Sequence, residues 1–192
     1  ERYNVAPTNE VYAVVERSDH GREVQAFEWG LLPAWAKDDK VRYSLINARA
    51  ETVATKNSFR SSFQHRRCIV PMNGFYEWKE GEAGGPRNAK GELLKQPLLF
   101  ERPDHELLAV AGLWSAWRPP GSPEGTHWRH TCTVITTTAN ATMRPFHDRM
   151  PVLLARQDWE VWLDPATTDL FRLEALLVPA PDELLTFHRV ST

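Results

Sequence analysis

Apolar and polar positions alternate in short runs along most of the chain, and turn residues separate one run from the next. Val11 to Glu16, Glu23 to Gly30, Cys68 to Pro71, Phe75 to Trp78, Pro97 to Glu101, Leu107 to Trp114, Thr131 to Thr138 and Val152 to Leu154 predict β-strands. Helical spacing appears late. Trp159, Trp162 and Leu163 recur at i, i+3 and i+4, and Leu170, Leu173 and Leu177 repeat the pattern after Asp164-Pro165, which predicts two helices packed on the sheet. Asn57 to Gln64, with Phe59 and Phe63 four apart, predicts one further short helix. The segments 81–91 and 118–125 are rich in Gly and Pro and read as loops within one fold, the first as a mobile hairpin loop.

Composition narrows this picture. A chain of 192 residues, 42% hydrophobic, with eight Trp, eight Phe and four Tyr, suits one domain with a real core. Its apolar runs fall far short of the roughly 20 residues that cross a bilayer, so no membrane association is expected. Cys68 and Cys132 each sit inside a strand-like run and read as reduced, buried thiols, which points to a cytosolic or nuclear compartment. The net charge of -2 argues against nonspecific coating of nucleic acid, but the charge is uneven. Residues 37–79 hold nine basic against four acidic side chains, and residues 150–192 hold three against seven. One face is thereby suited to a phosphate chain, or is simply a solvated surface.

Three segments carry candidate chemistry, and none has a metal or nucleotide signature, so no cofactor is expected. His127 and His130 are spaced like metal ligands but have no Cys or carboxylate signature beside them, and no zinc site is expected. In Ile46-Asn-Ala-Arg-Ala-Glu-Thr52, an extended backbone projects Asn47, Arg49 and Glu51 to one side. Arg49 suits a phosphate, Glu51 suits the orienting of Arg49, and Asn47 suits a reacting centre. A structural Arg–Glu pair with a turn-capping Asn is the alternative. In Pro71-Met-Asn-Gly-Phe-Tyr-Glu-Trp78, Glu77 lies among aromatics. If it is desolvated there its pKa rises and it serves proton transfer; otherwise it faces solvent. His147, Asp148 and Arg149 follow one another in a loop between strands, where His147 is either a proton shuttle or an ordinary surface or core histidine.

Taken in order, Arg-Tyr-Asn-Val-Ala-Pro (2–7), Trp-Gly-Leu-Leu-Pro-Ala-Trp (29–35), Ile-Asn-Ala-Arg-Ala-Glu-Thr (46–52), Arg-Arg-Cys-Ile-Val-Pro (66–71), Gly-Phe-Tyr-Glu-Trp (74–78), Ala-Gly-Leu-Trp (111–114) and His-Asp-Arg-Met-Pro (147–151) closely resemble the SRAP family of SOS-response-associated peptidases. The resemblance spans the chain. It implies an α+β fold, a β-rich single domain over residues 1–192 of mainly antiparallel strands with a few packed helices; a monomer is expected. It also implies a DNA-damage function: binding of abasic sites in single-stranded DNA, followed by covalent capture of the sugar aldehyde.

In that family the nucleophile is an N-terminal Cys whose α-amine forms a Schiff base and whose thiol closes a thiazolidine. The peptidase activity is largely removal of the protein's own leader. The resemblance assigns Asn47 to positioning of the amine or intermediate, Glu77 to acid/base work and His147 to sugar-ring opening or proton transfer. It assigns Arg49 and Arg149 to backbone phosphates, and Trp35 and Trp78 to base stacking or the pocket wall, with core packing as the other reading of each Trp. The sequence opens at Glu1-Arg-Tyr-Asn without the family's Met-Cys-Gly-Arg start, so a domain lacking its nucleophile-bearing N-terminal segment is expected, and the chain alone is expected not to cross-link. A noncatalytic single-stranded or junction DNA-binding module and a thiol peptidase acting on other proteins are the competing functions.

Overall fold

The apolar runs of the central strands are interrupted at few positions, as in strands buried on both faces. The structure, a computed structural model, describes residues 4–17, 21–81 and 83–191. Its elements in chain order are β1 (Glu10–Arg17), β2 (Gly21–Trp29), β3 (Asn47–Arg49), α1 (Arg60–His65), β4 (Arg67–Met72), β5 (Gly74–Lys79), β6 (Gln96–Glu101), β7 (Leu108–Trp117), β8 (Arg129–Thr138), β9 (Arg149–Pro151), α2 (Trp159–Leu163), α3 (Leu170–Glu174) and β10 (Thr186–Arg189). The β-rich α+β architecture expected from the sequence is present, and all strand pairings except β2–β8 and β3–β8 are antiparallel among the described residues.

Five strands close on themselves. β1 pairs with β2 and β4, β4 with β7, β7 with β8, and a short parallel contact of Glu28 with Thr131 and Trp29 with Cys132 joins β8 back to β2. Side-chain alternation then sorts each strand. Cys68, Val70, Val110, Cys132 and Val134 join the interior cluster, while Ile69, Ala111, Leu113 and Ile135 point outward into a second core with Phe63 and Trp162 from the helices and Phe59 just before α1. The second sheet, in the order β10-β6-β5, adds Leu98 and Phe100 to the interior cluster.

Arg67 lies on the helix side of β4, and it is almost wholly buried. Its guanidinium donates to the carbonyls of Phe63 and Gln64 at the end of α1 and to those of Trp162, Asp164 and Thr167 at and beyond the end of α2. One cation therefore caps two helix C-termini. Burial pulls its pKa down to about 10, which leaves it charged at neutral pH. The basic stretch read from the sequence is accordingly split between interior and surface.

Several boundaries differ from the sequence reading. The helix anticipated over 57–64 begins at Arg60, after a turn in which Phe59 and Arg60 both bond to Lys56 O. The helix anticipated over Leu170 to Leu177 stops at Glu174. The last anticipated strand pairs with β8 as Arg149–Pro151, and Val152 to Leu154 cross to β7 through a bridge of Leu153 to Val110. Strand β10 is not predicted from the sequence, because a run of four residues exposed throughout shows no apolar period. Of the opening segment 2–7, Arg2 and Tyr3 lie outside the described residues, as does Glu82 of the loop 81–91, whose Asn88 Oδ1 accepts from the amides of Lys90 and Glu92.

Candidate functional site

Strand β8 is the spine on which the site is built. Val134 pairs with Asn47 on one edge and Gly112 on the other, and Thr136 pairs with Arg49 on one edge and Pro151 on the other. β3 and β9 therefore flank the C-terminal end of β8. Asn47 and Arg49 lie on the exposed face of β3, with buried Ala48 between them turned inward. The extended row anticipated through Glu51 stops at Arg49, because Ala50–Thr52 turn into a 3-10 helix.

That turn changes Glu51's partner. Its carboxylate takes both prongs of the Arg149 guanidinium, Nη1 at 2.6 Å and Nη2 at 2.9 Å, and Nη2 also donates to Thr136 O at 2.7 Å. Arg149 holds the Glu51 carboxyl below the usual carboxylate range, first through these hydrogen bonds and then through its charge, with a smaller contribution from Arg49. Arg49 itself makes no side-chain hydrogen bond or ion pair among the described residues and stands exposed at the edge, as does the Asn47 carboxamide. One arginine is thus tied down and the other is free.

Glu77 arrives from the second sheet. Alternation along β5 sets Phe75 and Glu77 on one face and Tyr76 and Trp78 on the other. Phe75 stacks on Phe100 at 5.5 Å, Phe100 meets Phe146 edge-on at 5.6 Å, and Phe146 meets Phe187 of β10 at 4.7 Å. This aromatic cluster brings β5 against the loop that carries His147. Burial raises the Glu77 pKa, while the charge of nearby His147 and a hydrogen bond from the Trp78 amide oppose that rise. The aromatic neighbours thus desolvate Glu77 without sealing it, for its side chain is only half-buried. Gly74 makes the approach possible: a Cβ there would lie 2.4 Å from Phe100 O.

His147 is exposed, and its Nδ1 accepts the Arg149 backbone N–H at 2.9 Å. The structure therefore links Glu77 to His147, His147 to Arg149, Arg149 to Glu51 and Glu51 to Arg49, a series drawn from both sheets. Asn47 joins it by position, two residues before Arg49 on the same face. Trp78 is 52% exposed and Trp35 50% exposed, so neither is a core residue. Trp35 donates weakly to Asn57 O and lines a cavity of about 270 Å³ with Ala36, Lys37, Asp38 and Val41, apart from the Glu77–His147 series. The partnership of Glu51 with Arg149 was missed in the sequence, where 98 residues separate the two.

Cys68 and Cys132 are free, fully buried and inside the barrel. Burial pushes the Cys68 thiol well up and the Cys132 thiol up to about 12, so neither supplies a thiolate. His130 turns its Nδ1 to Gln25 Nε2 at 2.6 Å and packs beside Phe27 and Trp114. No helix among the described residues is long and apolar enough to cross a membrane.

A small closed β-barrel, with a second sheet laid against it and an open carboxyl–imidazole–guanidinium site where the two meet, defines a compact class of protein. The chain belongs to the SRAP family: the description SOS response associated peptidase (SRAP) matches residues 1–192. It is 39% identical over 191 residues to the abasic site processing protein YoqW of Bacillus subtilis (strain 168), covering 99% of this chain and 79% of that protein. With the abasic site processing protein HMCES of Gallus gallus it shares 32% identity over 188 residues, covering 89% of this chain and 53% of the relative. A crystal structure of a protein from Bacteroides thetaiotaomicron superposes with a TM-score of 0.80 at 27% identity, covering 96% of this chain and 75% of that one.

Proposed function

We propose that this protein recognises abasic sites in single-stranded DNA and, with a cysteine at the native N-terminus, captures them covalently. The observation that carries the reading is the meeting of Glu77 and His147, a desolvated carboxyl beside an exposed imidazole, at an edge where the Arg49 guanidinium is free. An abasic sugar exists as a closed hemiacetal that must open to its aldehyde, which requires a proton to move from the sugar hydroxyl to the ring oxygen. His147 and Glu77 are placed to pass that proton.

The α-amine then adds to the aldehyde carbon, and loss of one water leaves a Schiff base. The cysteine thiol adds across the C=N bond, carbon taking sulfur and nitrogen taking the proton, to close a thiazolidine. Asn47, two residues before Arg49 and with its carboxamide free, orients the amine or the intermediate. Arg49 grips a backbone phosphate with its planar fork, while the Arg149 charge is balanced by Glu51. Exposed Trp35 and Trp78 offer faces for neighbouring bases. A site lacking its base needs no unstacking, so the few kcal/mol that flipping costs on other substrates is not incurred. Removal of a leader to expose the cysteine is the self-processing step that fits the family's description as a peptidase.

The test uses the full-length protein with its native N-terminus and an oligonucleotide carrying one abasic site. A denaturation-resistant adduct is expected with that strand and not with the intact one, and it is expected to vanish when the leading Cys is changed to Ser. Equal adduct with intact DNA overturns the reading, and binding without any adduct reduces it to a noncatalytic DNA-binding module.

A further inference from the structure

Arg149 is an unusual choice for a phosphate ligand, because both Nη atoms of its guanidinium are already engaged and its Nε is buried. Its side chain is 17% exposed, both carboxylate oxygens of Glu51 hold it, and Thr136 O takes a further bond. What this arrangement does fix is the Arg149 backbone, whose N–H points at His147 Nδ1 from 2.9 Å. A backbone amide can only donate, so Nδ1 must carry a lone pair and the neutral ring must carry its proton on Nε2. We infer that Glu51 is a positioning residue: by clamping Arg149 across the end of β8 it holds His147 in the Nε2–H tautomer, with that proton available to the sugar. The inference rests on the capture chemistry proposed above for what the tautomer is used for, and on this geometry alone for the tautomer itself.

The groups that face His147 make the clamp necessary. Asp148 Oδ1 lies 3.3 Å from the same Nδ1 and draws a proton to it, which would reverse the tautomer or charge the ring. Glu77, whose carboxyl is influenced by the imidazole, is the other acidic neighbour. The Arg149 carbonyl also lies 3.3 Å from Nδ1, a longer contact that would accept from an Nδ1–H if the loop relaxed. The three-residue strand β9 has little pairing of its own to resist such a shift. The Glu51 bridge, anchored on the opposite edge of β8, supplies the restraint that the short strand lacks.

The experiment compares the wild-type protein with Glu51→Gln, which keeps size and removes charge, and with Arg149→Lys, which keeps charge and removes the fork. Nitrogen-15 NMR of the ring, recorded without DNA, is expected to show one Nε2–H tautomer in the wild type and a mixture in both variants. Adduct formation at saturating abasic strand is expected to slow by about 10- to 100-fold in each, the scale on which small misplacements of a catalytic group act, while Glu51→Asp recovers part of the rate. Affinity for intact single strands is expected not to fall in Glu51→Gln, since the variant loses no cation and frees Arg149 from its carboxylate. A single unchanged tautomer with full saturated rate in Glu51→Gln overturns the inference. So does a variant whose only defect is weaker binding, which would make the pair an ordinary phosphate site. If wild-type protein forms no adduct at all, the capture reading falls, and the NMR result still decides the positioning claim.

Discussion

Glu77 is held in a state that the fold does not favour. Its pKa is raised by burial, so the folded protein binds the proton more tightly than the unfolded chain does, and stability falls as pH rises through the unfolded value of about 4.3 toward the folded one. Glu77→Gln removes that cost. The expected outcome is a higher urea midpoint than wild type at pH 7, with the gap closing near pH 4, while capture slows by roughly 10²- to 10³-fold for want of the proton-transfer group. A variant that loses stability at pH 7 would show that the ionised carboxyl supports the fold. Arg49, free at the edge of β3, has the opposite profile. Arg49→Ala is expected to leave the urea midpoint nearly unchanged, as exposed side chains do, and to weaken strand binding in a filter or anisotropy titration.

Two elements position the site at a distance from it. Arg67 joins the ends of α1 and α2 to β4, and among the described residues its buried guanidinium donates to carbonyls and to no carboxylate side chain. Arg67→Met leaves those carbonyls without a donor. It is expected to cost at least about 1–3 kcal/mol in chemical denaturation, the range for a buried acceptor left unsatisfied. Strand β5 carries Glu77 to His147 only because Gly74 lets it approach β6 closely. Gly74→Ala must push the strands apart, at a cost of about 1–3 kcal/mol. Capture is expected to slow with Phe100 and Glu77 displaced, even at temperatures where circular dichroism shows the protein folded.

At the scale of the whole molecule, charge is divided between a network that holds the barrel and a few side chains left for a partner. Glu28 receives Arg42 and Arg129, and Arg129 also reaches Asp39, so this part of the basic surface is already neutralised. Few phosphates can then be engaged. The logarithm of the binding constant for single strands is expected to fall with the logarithm of salt at a slope of about -0.7 per phosphate neutralised, giving a shallow total, and Arg49→Ala should reduce it by about 0.7. A steep slope that Arg49→Ala leaves untouched would place the strand elsewhere on the molecule.

Alternation of apolar residues marked β1 and β2, and apolar or β-branched runs bounded by turn residues marked β4 to β8. Together with the ordered motifs it marked Asn47, Arg49, Glu77, His147 and Arg149 as residues of interest, because side-chain period and residue chemistry are local properties. Whether Glu77 was desolvated, whether Trp35 and Trp78 were core or surface, and which acid would hold which arginine were beyond it. Those answers depend on contacts between segments far apart in the chain: β2 against β8 to close the barrel, Phe75 and Phe100 against Phe146, and Glu51 against Arg149. Burial and ion pairing arise only when the chain folds back on itself, so the tertiary structure alone settled them.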